Sequence, residues 1–147
     1  MTPLVRRYIK TSLVFLLLGL SVGAYIAISE FILDTYPARL VATAHAHLLL
    51  VGFMLMMVMG VATWMFPRPA RDDVRYRPEL AEAAYWVITA GTAVRAAAEI
   101  AVSLVGVLSL RWLIALGGLA QVAGAVLFAL NIWWRVRMPP AATPPSR

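Results

Sequence analysis

The chain has 147 residues, two histidines, no cysteine and a formal net charge of +6. Hydrophobic residues make up 62% and charged residues 14%, against roughly 45–50% and about 25% in soluble domains. That balance points away from a water-soluble core and towards a membrane protein. The missing cysteine also excludes disulfides, thiolate-held iron–sulfur clusters and cysteine nucleophiles.

A helix needs roughly 20 mostly apolar residues to cross a bilayer. Four stretches qualify, at about 12–33, 40–66, 80–107 and 113–134. The expected fold is all-α: an integral membrane four-helix bundle within residues 1–138, followed by a disordered tail at 139–147 with four prolines. Span one follows Arg6-Arg7, a pattern shared with secretory and twin-arginine signals. Its apolar run continues past Tyr25 to Leu33, too long for a signal core of roughly 7–15 residues, and is read as a retained helix. Gly19 and Gly23 place a GxxxG step on it, which lets helices approach closely. Pro37 marks the first connection, and Pro67 ends span two. A polar loop runs through Arg68-Pro69 to Pro78. Spans three and four are separated only by a short break around Ser109-Leu110-Arg111. Gly117, Gly118, Ala120 and Gly124 line span four with small residues. Trp64, Trp86, Trp112, Trp133 and Trp134 fall near span ends, as in an interfacial aromatic belt.

The cations set an orientation. Arg6, Arg7, Lys10, Arg68, Arg71, Arg75, Arg77, Arg135, Arg137 and Arg147 fall on one side. The other side has Arg39 and Arg111, and Arg95 lies inside span three. By the positive-inside rule both termini are cytoplasmic, in a prokaryotic-type inner membrane. The same distribution accounts for the basic pI without nucleic acid, because no clustered basic helix with interleaved aromatics is present.

Both histidines occur in Ala44-His45-Ala46-His47, near the outer end of span two. An ionisable side chain at membrane depth is a functional candidate by default; the alternative is a hydrogen-bonding packing residue. Residues two apart on an α-helix point about 200° apart, so the two imidazoles face different neighbours and do not share one metal ion. His45 shares its face with Leu49, Gly52 and Met56. His47 shares its face with Leu50, Met54 and Val58. Glycines 52 and 60 leave a groove for either a flat ligand or another helix. Zinc asks for three or four protein ligands, which the chain lacks. Haem asks for one or two, since the porphyrin supplies four, so haem b is the expected cofactor. His45 and His47 are the candidate iron ligands, with Gly52 and Met56 lining the site. The other methionines of the spans also lie on span two, so a second axial ligand has to come from a second copy of the chain or be absent. The first case implies a homo-oligomer with haem between subunits, a dimer being favoured.

At these residues the sequence resembles subunit I of the haem–copper oxidase superfamily, most closely the C-type oxidases and nitric oxide reductases. His45-Ala46-His47, Gly52, Gly60 and Phe66-Pro67-Arg68 are similar to that family's tenth helix. Ala84-Tyr85-Trp86 and Gly91 are similar to the eleventh, and Gly124 with Leu130-Asn131-Ile132-Trp133 to the twelfth. The resemblance implies that His45 would ligate a high-spin haem and His47 a low-spin haem, on the outer side of the membrane. The three further histidines of the family's copper site are missing, as is its second low-spin ligand. The chain therefore looks like one four-helix arc of a three-arc fold, and it is no complete oxygen reductase.

Arg95 and Glu99 are four residues apart on span three, on one face. Each is costly alone in hydrocarbon, so they are expected to pair or face the interior. Their depth overlaps that of the histidines. Glu99 is a candidate acceptor for an axial histidine's Nδ1–H, and Arg95 a candidate partner for a haem propionate. Gln121 and Tyr25 are weaker polar-lining candidates. With bis-histidine iron the expected role is electron transfer, with membrane quinol or a cytochrome as redox partner. The alternatives are a five-coordinate haem that binds nitric oxide or oxygen, as sensor or small reductase, and a haem-free structural or assembly subunit.

Overall fold

A computed structural model describes residues 1–66, 77–133 and 135–136. The proline-rich tail, Trp134 and most of the loop after Phe66 lie outside the described residues. Helix α1 runs Pro3–Phe31, α2 Arg39–His47, α3 Met56–Met65, α4 Pro78–Val105 and α5 Arg111–Trp133. A π-helical segment, Leu48–Leu55, joins α2 to α3, so Arg39–Met65 is one continuous rod. Among the described residues there is no strand. Four rods, of 29, 27, 28 and 26 residues, are long and apolar enough to cross a membrane.

The ends of these helices follow local chemistry. Pro3 occupies the first turn of α1, and the Thr2 hydroxyl accepts the Val5 N–H at 3.4 Å. Proline suits that position because its missing N–H would be unsatisfied there anyway. The helix thus begins nine residues before the apolar boundary expected at Ser12. Polar capping decides where the helix starts; hydropathy decides only where the membrane would. At 1.5 Å per residue α1 is about 44 Å long, beyond the roughly 30 Å of a hydrocarbon core. Asp34, with φ +49°, turns the chain after α1. Pro78 opens α4 with Glu79 in its first turn, where a carboxylate suits the positive end of the helix dipole. Gly106, at φ +74°, closes α4 in the left-handed conformation that glycine adopts without a Cβ clash. A 3₁₀ turn at Leu108–Leu110 then leads into α5.

The rods pack as a row rather than a closed bundle. α1 lies against span two along its length, α2 against α4, and α4 against α5, while α1 and α5 make no substantial contact. Small residues set the two tightest seams. A Cβ on Gly52 would lie 2.7 Å from Phe15, and one on Gly60 2.8 Å from Tyr8. A Cβ on Gly124 would lie 2.8 Å from Ile88. Helices in lipid associate through close packing and hydrogen bonds rather than hydrophobic expulsion, and these glycines permit the approach. The buried cluster comprises Tyr8, Phe15, Leu48, Met56, Met59, Tyr85, Ile88 and Ala96. The outer faces are apolar as well, including Leu13, Leu17 and Leu20 on α1 and Leu116, Leu119 and Val126 on α5.

One end of the row is tied by polar contacts. Arg7 donates to Glu82 at 2.6 Å, and Thr11 and Tyr85 share a 2.8 Å hydroxyl hydrogen bond. Arg135 donates to the carbonyls of Thr63 (2.9 Å) and Phe66 (2.7 Å), which the end of α3 would otherwise leave bare. The first turns of α1 and the residues after α5 therefore share one end. The histidines, Arg111 and the α4–α5 turn are at the opposite end. Trp64, Trp86, Trp112 and Trp133 are all largely exposed near helix ends.

Candidate functional site

The last turn of α2 carries both histidines, and they do face different helices. Nδ1 of His45 lies 2.8 Å from the Gly19 carbonyl on α1. A carbonyl only accepts, so Nδ1 carries the proton. The ring fits against the GxxxG step: a Cβ on Gly23 would lie 2.7 Å from His45 Cε1. The glycine pair read from the sequence as a helix-packing step is thus also the seat of an imidazole. His47 turns towards α4. Its Nδ1–H donates to the Thr43 carbonyl at 2.9 Å, one helical turn back. Glu99 Oε1 is 3.9 Å from the same nitrogen, which is charge proximity rather than a hydrogen bond. The acceptor expected to be Glu99 is therefore the Thr43 carbonyl, which the α-helix holds closer.

Both imidazoles end up in the same electronic state. Nδ1–H is committed to a backbone carbonyl, and Nε2 has no hydrogen-bond partner among the described residues. A backbone carbonyl on one ring nitrogen fixes the tautomer and raises the basicity of the other. The donor set accordingly fits an iron that needs one or two imidazole nitrogens. Among the described residues no group of three His, Cys, Asp or Glu side chains gathers.

Arg95 and Glu99 form the ion pair that their spacing implies. Arg95 Nε donates to Glu99 Oε1 at 3.0 Å. Glu99 is 0% exposed and its Oε2 has no hydrogen-bond partner among the described residues, whereas Arg95 is 23% exposed. Space for the guanidinium comes from α5. A Cβ on Gly118 would lie 2.6 Å from Arg95 Nη1, and one on Gly117 2.7 Å from Arg95 Cβ. The adjacent glycines in an otherwise bulky apolar run were the sequence signal for that seat. Gln121 Nε2 donates to Thr92 Oγ1 at 3.2 Å, an interhelical bond within the α4–α5 seam. Tyr25 stays largely exposed.

Gly52 and Met56 lie elsewhere. The space over Gly52 holds Phe15 of α1, so the groove left open to a ligand or a helix is taken by the helix. Met56 is fully buried, with its sulfur 4.0 Å from Thr89 Oγ1. The structure brings together His47, Glu99 and Arg95, places His45 on the α1 side, and leaves Gly52 and Met56 in packing.

Immediately after His47 the backbone slips into the π segment. Such insertions often occur at functional sites, because they re-aim side chains within one helix. Nothing in Leu-Leu-Leu-Val-Gly-Phe-Met-Leu distinguishes a π from an α segment by periodicity. Beside the ion pair, where α2, α4 and α5 meet, a groove of about 780 Å³ opens at the same end of the row, lined in part by Leu40, Arg95 and Arg111.

Comparison of the chain with protein-family models, curated proteins and solved structures finds no match. The functional reading rests on the chain's own residues.

Proposed function

We propose that the chain is a membrane b-type haem protein that transfers electrons, with the haem held by span-two histidines at a homo-oligomer interface. The observation that carries this reading is the shared arrangement of the two imidazoles: Nδ1–H on a backbone carbonyl and Nε2 without a hydrogen-bond partner among the described residues. Haem b, when bound, supplies a one-electron iron couple. The chain's part is to present Nε2 of His45 or His47, hold each ring at a fixed angle, and exclude water with apolar helices. Glu99 sets a negative charge near His47, which favours the oxidised iron, and Arg95 balances it. The open row of helices supports a partner copy, because one protomer offers no second ligand from a facing helix. In this reading the row is a single arc of the kind the haem–copper oxidase resemblance implies. The four spans lie in a prokaryotic-type inner membrane with both termini cytoplasmic and the histidines towards the outer face, as the cation distribution implies. Quinol or a cytochrome is the redox partner in this reading.

A second reading is favoured by the fit of His45 between Gly19 and Gly23. There His45 is a packing residue and His47 alone binds iron, leaving an open coordination position for nitric oxide or oxygen. A reduced-minus-oxidised optical spectrum of the detergent-purified protein, with and without carbon monoxide, separates the two. Low-spin bands unmoved by carbon monoxide, from a particle of dimer mass, support electron transfer. Bands that shift with carbon monoxide support the second reading. A protein that takes up no haem, natively or on reconstitution, overturns both and leaves a structural or assembly subunit.

A further inference from the structure

We propose that the groove lined by the start of α2, Arg95 of α4 and the first turns of α5 is a binding site for one anionic phospholipid, its phosphate on Arg95 and Arg111 and an acyl chain along the apolar wall. The wall is formed by Leu40, Ile114, Leu119 and Val122. Its volume of about 780 Å³ falls within the roughly 300–1,000 Å³ typical of small-molecule sites. Leu119 and Val122 are 69% and 62% exposed on the outer face of a membrane-length helix, so the groove opens where acyl chains run.

Charge selects the occupant. Glu99 engages only Nε of Arg95, and the two Nη groups have no partner among the described residues. The Arg111 guanidinium has none there either. Glu99 is sealed from the groove by its complete burial, so the groove presents two cations and no accessible anion. Arg95 lies ten residues before the end of α4, about 15 Å along the axis. At that depth unpaired guanidinium donors are costly, and an anionic oxygen that approaches from the lipid side satisfies them bidentately. Gly118 keeps the floor low enough for this arrangement. A soluble anion would meet the cations but leave the apolar wall unused. A zwitterionic lipid would bring its own cation against Arg111.

The inference requires the helices to lie in a bilayer and is independent of haem. Native mass spectrometry of the detergent-purified protein, titrated with phosphatidylglycerol or phosphatidylcholine, tests it. The expected result is at least fivefold preferential retention of phosphatidylglycerol, reduced at least threefold in Arg111→Gln and lost in Gly118→Leu. Arg111 is exposed, so its variant keeps the fold and remains informative if Gly118→Leu does not assemble. Equal retention of the two lipids by the native protein overturns the proposal, as does undiminished preference in Arg111→Gln. Inorganic phosphate that raises the melting temperature as much as phosphatidylglycerol does overturns the acyl component. A change of oligomeric mass in Gly118→Leu with lipid retention unchanged makes the groove a protein interface and also overturns it. Haem content, read from the same samples by absorbance, tests the functional reading separately.

Discussion

Removing the Arg95 guanidinium should cost far more stability than removing the Glu99 carboxylate. The two charges meet at 3.0 Å between Nε and Oε1. At an effective dielectric of about 20, that separation corresponds to roughly 5 kcal/mol of attraction before desolvation is counted. The partners are not equally placed. Glu99 is 0% exposed, whereas Arg95 is 23% exposed along the groove. In Arg95→Met the carboxylate is left buried without its cation, a change that costs about 3–5 kcal/mol in buried pairs. In Glu99→Gln the amide oxygen still accepts from Nε and the guanidinium faces the groove, where an anionic head group replaces the lost charge, so the loss should be about 1 kcal/mol. The double variant Arg95→Met/Glu99→Met removes both charges and should return to within about 1 kcal/mol of the native protein. Unfolding in mixed micelles by increasing mole fraction of sodium dodecyl sulfate, followed by far-ultraviolet circular dichroism, measures all three. Equal losses in the two single variants would refute the reasoning, and so would a double variant as unstable as Arg95→Met.

Other outcomes follow from the same contacts. Gly52→Ala drives a methyl to 2.7 Å from Phe15 and should destabilise by about 1–3 kcal/mol; Phe15→Leu in the same chain should recover part of that loss in the micelle assay. Arg135→Ala strips two carbonyls at the end of α3 of their donor, for a loss of about 1.5–3 kcal/mol, seen as a lower melting temperature with unchanged helix content. His45→Ala with His47→Ala should abolish haem retention in the pyridine haemochrome assay; full occupancy in that double variant rules out both ligands. Because the chain has no cysteine, Ser109→Cys and Thr2→Cys report topology cleanly. A membrane-impermeant maleimide should label the first and spare the second in intact spheroplasts.

Helix content, span number and approximate limits were legible because each is a local property. Apolar runs of membrane length do not depend on what they pack against, and Pro78 and Gly106 mark the termini of α4 through backbone sterics alone. The Arg95–Glu99 pair was legible for the same reason, since a spacing of four puts both on one face whatever the neighbours. The divergence of His45 and His47 also followed from helix geometry within one turn.

What each residue meets was decided by tertiary packing. The glycine face of span two was compatible with a ligand or a helix, and only the approach of α1, with Phe15 over Gly52, settled it. Hydropathy is high on both the seam and the outer side of α1 and α5, so pattern alone did not reveal a row with its two end helices apart. The π segment after His47 has no signature of its own, because a run of large apolar residues fits either helix. The partner of His47 Nδ1 was a backbone carbonyl, and every helical residue offers one. Sequence therefore determined the helices and the Arg95–Glu99 pair, whereas the Arg7–Glu82 pair came only with packing. Three-dimensional packing determined where the imidazoles sit, because the seat of His45 depends on where α1 places Gly19 and Gly23, and the charge beside His47 on where α4 places Glu99.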